Sequence, residues 1–218
     1  LAFNVPPGAP LLEARLDNRA GNPLMSLIPG TLFPAIFTGG GSLYDYGNDG
    51  GASITPAGRE DDYSVISIRN PSAGAHRLIT SASYTSDATA TLSLRTVNFQ
   101  PLNFDATLNG GGGSNTATMM LLDGQRALFQ VEVPLQISGS TVAGWRLTLT
   151  ERLGNAKVRV FRTWGQEFDA VTISGDTGII VPPWLQLCRT CFVEVEGEGL
   201  TDVTLTSAAL LPRQGPFT

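Results

Sequence analysis

Apolar and polar residues alternate along many short segments of this sequence. Phe129–Val133, Trp145–Leu149 and Val203–Leu205 each place an apolar side chain at every second position. Successive side chains of an extended strand point to opposite faces, so this period predicts strands with one face in a core and the other in water. Turn-forming stretches such as Gly47–Gly51 and Gly110–Gly113 separate these segments. Short strands divided by such turns predict an all-β sandwich.

Composition favours strands over helices. The 218 residues include 25 Gly, 14 Pro and 22 Thr, and long helices do not tolerate that mixture. The best helical window, Glu13–Arg19, is short and lies between Pro10 and Gly21. Hydrophobic residues make up 42% of the chain, which is enough to build a core in one large domain or two small ones.

An internal repeat divides the chain. Leu12–Leu16, followed by Gly21-Asn22, matches Trp145–Leu149, followed by Gly154-Asn155, at one constant offset. We interpret the Gly-Asn pairs as hairpin turns. Three further pairs of segments match in the same order: Phe3–Val5 with Phe129–Val131, Ile66–Ile68 with Val193–Val195, and Leu92–Leu94 with Val203–Leu205. Chance matching of strand patterns is the alternative, but the shared order of segments favours duplication.

The repeat predicts two tandem antiparallel β-sandwiches, residues 1–97 and 98–218. Residues 98–128 precede the Phe129 strand in the second copy, whereas only Leu1 and Ala2 precede Phe3 in the first. We therefore expect the first sandwich to lack a leading strand and to expose unpaired backbone groups. Either the chain is cut from a longer polypeptide that supplies this strand, or a neighbouring subunit donates it, as in a strand-complemented filament. We favour the first explanation, because the proline-containing tail Ser207–Thr218 does not resemble a donor strand.

The second copy resembles a known family of exported domains. The residues that carry the resemblance are Phe129–Pro134, Ala143–Leu149, Gly154–Phe161, Pro182-Pro183, Cys191–Val195 and Thr201–Leu205. Together they resemble the bacterial pre-peptidase C-terminal (PPC) domain family, small jelly-roll-like β-sandwiches appended to secreted proteases and other exported proteins. The resemblance extends more loosely to residues 1–97. It implies a non-catalytic accessory role, and some relatives bind calcium, polysaccharide or fibrous protein. The family's usual Gly-Asp is replaced by Gly-Asn in both copies.

Charge and hydropathy restrict the partners. Charged residues are only 15% of the chain, the net charge is −5, and 13 of the 14 basic residues are Arg. No basic run is present, which argues against a nucleic-acid partner, and no 18-residue apolar run predicts a membrane span. A Thr-rich, Gly-rich and Lys-poor acidic composition is common in secreted bacterial proteins. That composition leads us to expect an extracellular, secreted or cell-surface protein. No signal peptide is visible at Leu1, so we expect the chain to be a mature product or a piece of a longer one.

Catalytic constellations are not evident. His76 is the single histidine, and no G-x-S-x-G motif supplies a nucleophile for it to activate, so we interpret it as a packing or surface residue. Carboxylates cluster at Glu60–Asp62 and alternate at Glu194, Glu196 and Glu198, which is typical of the polar face of a strand. The sequence therefore predicts that the protein is not an enzyme.

Three features remain as binding or structural candidates. The loop at Asp45–Gly51 offers oxygen ligands for calcium from Asp45, Asn48 and Asp49, with a solvated turn as the alternative and no other cofactor predicted. Trp164 and Trp184 lie in loop-like segments and are candidates for ligand-facing aromatic residues, but a packing role is the alternative that we favour for each. Cys188 and Cys191 lie where a turn precedes a strand, and an oxidising compartment favours a disulfide between them.

Together these features predict a non-catalytic structural or interaction module of a larger extracellular protein or assembly. Its partners would be other domains of the same polypeptide or neighbouring copies. The alternative is a carbohydrate- or matrix-binding accessory module of a secreted enzyme, with polysaccharide or matrix protein as partner.

Overall fold

The computed structural model describes ten stretches of the chain. They are residues 1–21, 23–29, 64–82, 87–102, 114–137, 139–142, 144–166, 171–174, 178–181 and 190–210. These stretches contain strands and no helix, which confirms the all-β prediction. The chain divides into two compact units, Leu1–Asn98 and Phe99–Thr218.

The first unit contains six described strands. They are β1 (Ala2–Val5), β2 (Leu11–Ala20), β3 (Pro23–Pro29), β4 (Ser64–Arg69), β5 (Gly74–Ala82) and β6 (Thr89–Val97). They form two antiparallel sheets of three strands, ordered β4-β2-β6 and β1-β5-β3. Side chains from both sheets meet in one buried cluster, as a sandwich requires. Its members are Val5, Ala9, Leu12, Ala14, Leu16, Met25, Leu27, Ile66, Ile68 and Leu78.

The second unit is built around two long strands. Its strands are β7 (Phe99–Pro101), β8 (Ser114–Leu121), β9 (Arg126–Glu132), β10 (Gln136–Ile137), β11 (Ser140–Thr141), β12 (Gly144–Phe161), β13 (Val171–Ser174), β14 (Gly178–Val181) and β15 (Thr190–Leu210). β12 and β15 pair antiparallel along nearly their whole length. β12 pairs with β14 along its first part and with β13 along its second part. β15 pairs with β9 along its first part and with β8 along its second part. β7 lies parallel to β9.

The two units share one strand plan. β2 and β3 correspond to the first and second parts of β12, while β5 and β6 correspond to the first and second parts of β15. Both ladders become irregular at the same step and then resume. All eight β2–β6 pairs have counterparts in the β12–β15 ladder. Examples are Leu12–Thr96 with Trp145–Ala209, Asp17–Thr91 with Thr150–Thr204, and Ala20–Thr89 with Leu153–Asp202.

The Gly-Asn pairs do not form the predicted hairpins. Gly154 lies inside the uninterrupted strand β12, and Gly21 joins β2 to β3, which belong to different sheets. Both glycines have a positive φ, +70° at Gly21 and +65° at Gly154. A Cβ atom at Gly21 would overlap with the Asp87 carbonyl oxygen, and one at Gly154 would overlap with that of Leu200. The glycines therefore mark a corner where the chain bends against a neighbouring strand.

The structure also corrects the predicted alignment of the repeat. Ile66–Ile68 of β4 corresponds to Ile179–Val181 of β14, because each pairs with the same residues of the corresponding long strand. The prediction had placed it over Val193–Val195. The two outer matches were each displaced by two residues: Phe3 corresponds to Val131, and Leu92 to Leu205. A two-residue slip leaves an alternating pattern unchanged, so the pattern alone does not determine register.

Candidate functional site

Among the described strands, the two units differ at three sheet edges. β8, β13 and β7 lie beside the second part of β15, the second part of β12 and β9, whereas no described strand lies beside the corresponding edges of β6, β3 and β1. The edge of β6 belongs to the longest of these three strands. In the second unit, residues Thr201–Ala208 of β15 pair with β12 on one side and with β8 on the other. In the first unit, the corresponding strand β6 pairs with β2, and no other described strand lies beside it. We call the side of β6 that faces away from β2 the open edge.

Burial along β6 reflects this difference. In β15, every second residue from Thr201 to Ala209 is buried, as expected for a strand covered on its core face. In β6, each corresponding residue is exposed or only half-buried. The pairs, with the β6 residue first, are Ala90 and Val203, Leu92 and Leu205, Leu94 and Ser207, and Thr96 and Ala209. The apolar face of β6 is therefore less covered than its counterpart.

An open cavity of about 400 Å³ adjoins the open edge. It lies between Leu16, Pro23 and Thr80 on one side and Ala90 and Leu92 of β6 on the other. In the second unit, β8 brings Leu121 into the buried core and packs Ala117 and Met119 against it. The first unit thus has an open space, lined by apolar side chains and by threonines, at the position where the second unit places the side chains of β8.

The alternating carboxylates of β15 form a charged ladder with arginines. Arg159 Nη1 lies 2.7 Å from Glu194 Oε1 and 2.5 Å from Glu196 Oε2. Arg126 Nη2 lies 3.3 Å from Glu196 Oε2. Burial by itself lowers the pKa of Arg159, but hydrogen bonds to Glu196 and Glu194 and their negative charges outweigh it and raise the pKa above its ordinary value. Glu194 is fully buried, so this strand face is not simply the solvated one that alternation predicted.

A second buried carboxylate lies in the first unit. Glu13 of β2 is 1% exposed and sits directly across from Arg95 of β6. Arg95 Nε and Nη2 donate to its two carboxylate oxygens at 2.9 and 3.2 Å. This bidentate pair joins β2 to β6 on the face opposite Leu12 and Ala14. Glu13, like Glu194 and Glu196, thus pairs with an arginine of a neighbouring strand.

His76 is a packing residue in the structure. It is buried, and its Nδ1–H donates to the carbonyl oxygen of Gly74 at 3.1 Å. Its ring lies 5.7 Å from the ring of Phe3 across the β1–β5 pair. In the described parts of the chain, no group of three or more His, Cys, Asp or Glu side chains is arranged to hold a metal ion.

Trp164 takes the packing role that was favoured for it over a ligand-facing one. It is 9% exposed and packs edge-on against Phe99 at 5.2 Å and Phe161 at 5.1 Å, with Phe192 at 6.4 Å. The turn after β12 directs the indole inward, where burying its large apolar surface is more favourable than leaving it in water. Trp164 therefore belongs to an aromatic cluster that joins β7, β12 and β15.

Several predicted site residues lie outside the described residues. These are Asp45, Asn48 and Asp49 of the calcium loop, the acidic run Glu60–Asp62, Trp184, and Cys188. Cys191 is fully buried in β15 and is not a free thiol. Its pairing with Cys188 stays a prediction. In the stretches that the structure covers, no helix is long and apolar enough to cross a membrane.

Comparisons with known proteins do not identify the chain. No family model and no curated protein matches it. A bacterial pirin from Escherichia coli in complex with nickel(II) is 12% identical over 98% of this chain and 76% of the pirin, with a TM-score of 0.26. An IolB-like protein from Salmonella typhimurium is 9% identical over 99% and 81%, with a TM-score of 0.29. The major capsid protein P2 of bacteriophage PM2 is 9% identical over 99% and 93%, with a TM-score of 0.23. Similarities at these TM-scores carry no argument about function.

The open edge was only partly visible in the sequence. The unequal lengths of the two copies predicted a missing strand in the first one, but not the strand beside which it would lie. The signal that could have located it is the composition of β6, in which small or uncharged residues fill all positions except Arg95. Exposed edge strands usually carry charged residues that discourage pairing with other strands. A strand with a single charged residue, such as β6, is more typical of one that pairs on both sides.

Proposed function

We propose that this protein is a non-catalytic interaction module of a larger secreted or cell-surface protein or assembly. The open edge of β6 is the observation that carries this proposal, because an edge with a single charged residue, beside an open cavity, suits the addition of a further strand. The engagement of Glu13, Glu194 and Glu196 in cross-strand pairs with arginines supports a structural role for the charged residues. The Lys-poor, acidic composition and the resemblance to PPC domains support an extracellular location.

The alternative of a carbohydrate- or matrix-binding module has less support. It depended on Trp164 and Trp184 as aromatic platforms, and Trp164 is buried among phenylalanines. No described residue favours this alternative over the first. Calcium binding at Asp45, Asn48 and Asp49 is compatible with either function and stays a prediction.

Photo-crosslinking in the producing cells tests the proposed function. A photoreactive amino acid replaces Thr91, which is exposed on β6, and in a matched control it replaces Leu135, which is 66% exposed between β9 and β10. We expect to find the protein outside the cytoplasm. The probe at position 91, but not the probe at position 135, should form an adduct of defined mass with another polypeptide segment.

Peptide mapping of the exported protein without reductant should recover Cys188 and Cys191 linked. Confinement to the cytoplasm, or equal crosslinking from both positions, would contradict the proposal.

A further inference from the structure

Exposed apolar side chains cluster at the bend of the second unit. Among the residues that the structure describes, six large apolar side chains are well exposed. Four of them lie at this bend and are 43–69% exposed: Met120, Leu122, Leu153 and Leu200. Single exposed leucines are normal on a protein surface, whereas a contiguous group of them marks an interaction surface. We call these four residues the apolar patch.

The strand register shows that the patch is continuous. Leu153 of β12 and Met120 of β8 both pair with Asp202 of β15, so these three residues form one row across the sheet. Leu200 precedes Asp202 by two residues, and the residue between them is buried, so both point to the outer face. By continuation of the β8–β15 register, Leu122 lies beside Leu200. The four apolar side chains therefore surround Asp202 on one face of the sheet.

The fold does not require leucines at these positions. The residue of the first unit that corresponds to Leu153 is Ala20, and the one that corresponds to Leu200 is Asp87. Both residues of the first unit are exposed, and the chain makes the same bend beside them. Exposing two leucines to water costs free energy that burial against a partner would recover.

Two opposite charges lie within the patch. Arg152 is the extra residue of β12 at the irregular step of the ladder beside Asp202, and its Nη2 donates to the hydroxyl oxygen of Thr204 at 3.2 Å. In the part of the chain that the structure describes, neither the Arg152 guanidinium nor the Asp202 carboxylate has an ion-pair partner. A partner that covers the patch must therefore place an anion opposite Arg152 and a cation opposite Asp202, because a charge that loses its water without a counter-charge is costly.

We propose that the apolar patch is a two-fold interface between two copies of this chain. A two-fold axis that runs parallel to the strands, between β12 and β15, exchanges the positions of these two strands. It sets Arg152 of one copy against Asp202 of the other, twice in each dimer. It also places Leu153 of one copy beside Leu200 of the other. A second copy thus supplies both counter-charges and an apolar surface, and this complementarity identifies it as the occupant.

This interface is independent of the surface on which the proposed function depends. It lies on the second unit, whereas the open edge of β6 belongs to the first, so either can fail without the other. The patch is smaller than the roughly 20–30 residues that each partner contributes to a stable complex. We therefore expect a reversible dimer that forms as the concentration rises, with a dissociation constant below about 1 mM.

Sedimentation of the full chain and of two lysine variants locates the interface. Leu200→Lys places a cation in the patch, and Leu135→Lys is the matched control, because Leu135 is 66% exposed and lies outside the patch. We expect the dissociation constant to rise at least about tenfold for Leu200→Lys and to change less than about threefold for Leu135→Lys. Both replaced side chains are exposed, so the melting temperatures should stay close to that of the wild type.

Charge reversal tests the proposed contact directly. Asp202→Arg sets like cations against each other across the axis, and Arg152→Asp sets like anions against each other. Each variant alone should dimerise at least about tenfold more weakly than the wild type. A mixture of the two variants restores opposite charges at both contacts, so we expect a heterodimer at least as stable as the wild-type dimer. An effect within one chain does not produce this result, because each variant carries charges of one sign at the two positions.

Three results would overturn the interface. The first is a monomer at every concentration up to about 1 mM. The second is a dimer that Leu200→Lys weakens no more than Leu135→Lys does. The third is the absence of a heterodimer from the mixture of the two charge variants. Crosslinking in cells to a partner at position 91, together with a chain that stays monomeric, would keep the proposed function and reject this interface.

Discussion

Gly21 and Gly154 occupy the same point in the two units and face the same steric limit. Each has a positive φ, and each lies so close to a backbone carbonyl that a Cβ atom would overlap with it. The ladder is irregular at Asp17–Ala20, immediately before Gly21, and at Glu151–Asn155, which includes Gly154. Glycine at this point therefore allows the backbone to bend between the two halves of each sandwich.

Replacing Gly154 by alanine should destabilise the second unit. Two costs combine at this position, the left-handed backbone and a clash with the Leu200 carbonyl oxygen, so we expect a loss of about 3 kcal/mol in the free energy of unfolding. Gly8 is the matched control, because it has φ +74° but open space where the methyl group of an alanine would lie. Gly8→Ala should cost only about 1 kcal/mol. Urea unfolding of both variants measures the difference, and equal losses would show that the clash relaxes.

The buried charge ladder makes a second prediction at the residue scale. Glu194→Gln keeps the shape of the side chain but removes the charge that faces Arg159, and we expect a loss of about 2 kcal/mol in the free energy of unfolding. Glu198→Gln is the control, because Glu198 and Lys157 are 3.5 Å apart and well exposed, and it should cost less than about 0.5 kcal/mol. Since the pKa of Arg159 is raised, its charge and the penalty persist from neutral to mildly alkaline pH. A penalty for Glu198→Gln as large as that for Glu194→Gln would contradict this account.

At the scale of elements, an aromatic cluster fastens one end of the long strands. Phe161 ends β12, Phe192 lies near the start of β15, and Phe99 begins the short strand β7. Trp164 contacts all three rings. β7 has only three residues and one strand neighbour, so much of its attachment depends on these contacts.

Removal of the Trp164 side chain should therefore loosen β7 most. Trp164→Ala leaves a large cavity, and we expect a loss of about 3–4 kcal/mol in the free energy of unfolding. Trp164→Phe retains an aromatic ring and should lose about half as much. Hydrogen exchange should accelerate at Phe99–Leu102 in the alanine variant before it does so in β15. Unchanged stability of Trp164→Ala would indicate that the ring is not part of the core in solution.

At the scale of the whole molecule, each unit is a variation on one strand plan. The second unit carries β7, β8, β10, β11 and β13, which have no counterpart among the described strands of the first unit, and β6 carries the open edge where a counterpart of β8 would lie. An open edge is also a liability, because it can pair with other edges and cause aggregation.

The isolated chain should sediment as a monomer of 23.0 kDa at low concentration. At higher concentration its mass should approach that of two chains and stop there, because a two-fold contact at the apolar patch closes on itself. Analytical ultracentrifugation over a range of concentrations measures both limits. Growth of the mass beyond two chains would contradict this prediction and would indicate pairing through open edges.

Local patterning determined a large part of this fold. The alternation at Trp145–Leu149 and Val203–Leu205 predicted strands whose apolar residues are buried, and it did so correctly because the strand period is a property of adjacent residues. The order of matching segments predicted a repeat, and the two units share one strand plan. The order of segments is a property of the sequence, which needs no knowledge of pairing.

Only the tertiary structure decided register, corners and burial. The alternating pattern does not distinguish Val193 from Ile179 as the counterpart of Ile66, because pairing depends on residues far apart in the chain. Gly154 is a corner and not a hairpin, since the carbonyl oxygen that crowds it belongs to Leu200 on another strand. Trp164 is buried, and Glu194 is buried beside Arg159, because strands that are far apart in the sequence pack together at these residues. The local pattern of apolar and polar residues does not specify which strands pack together.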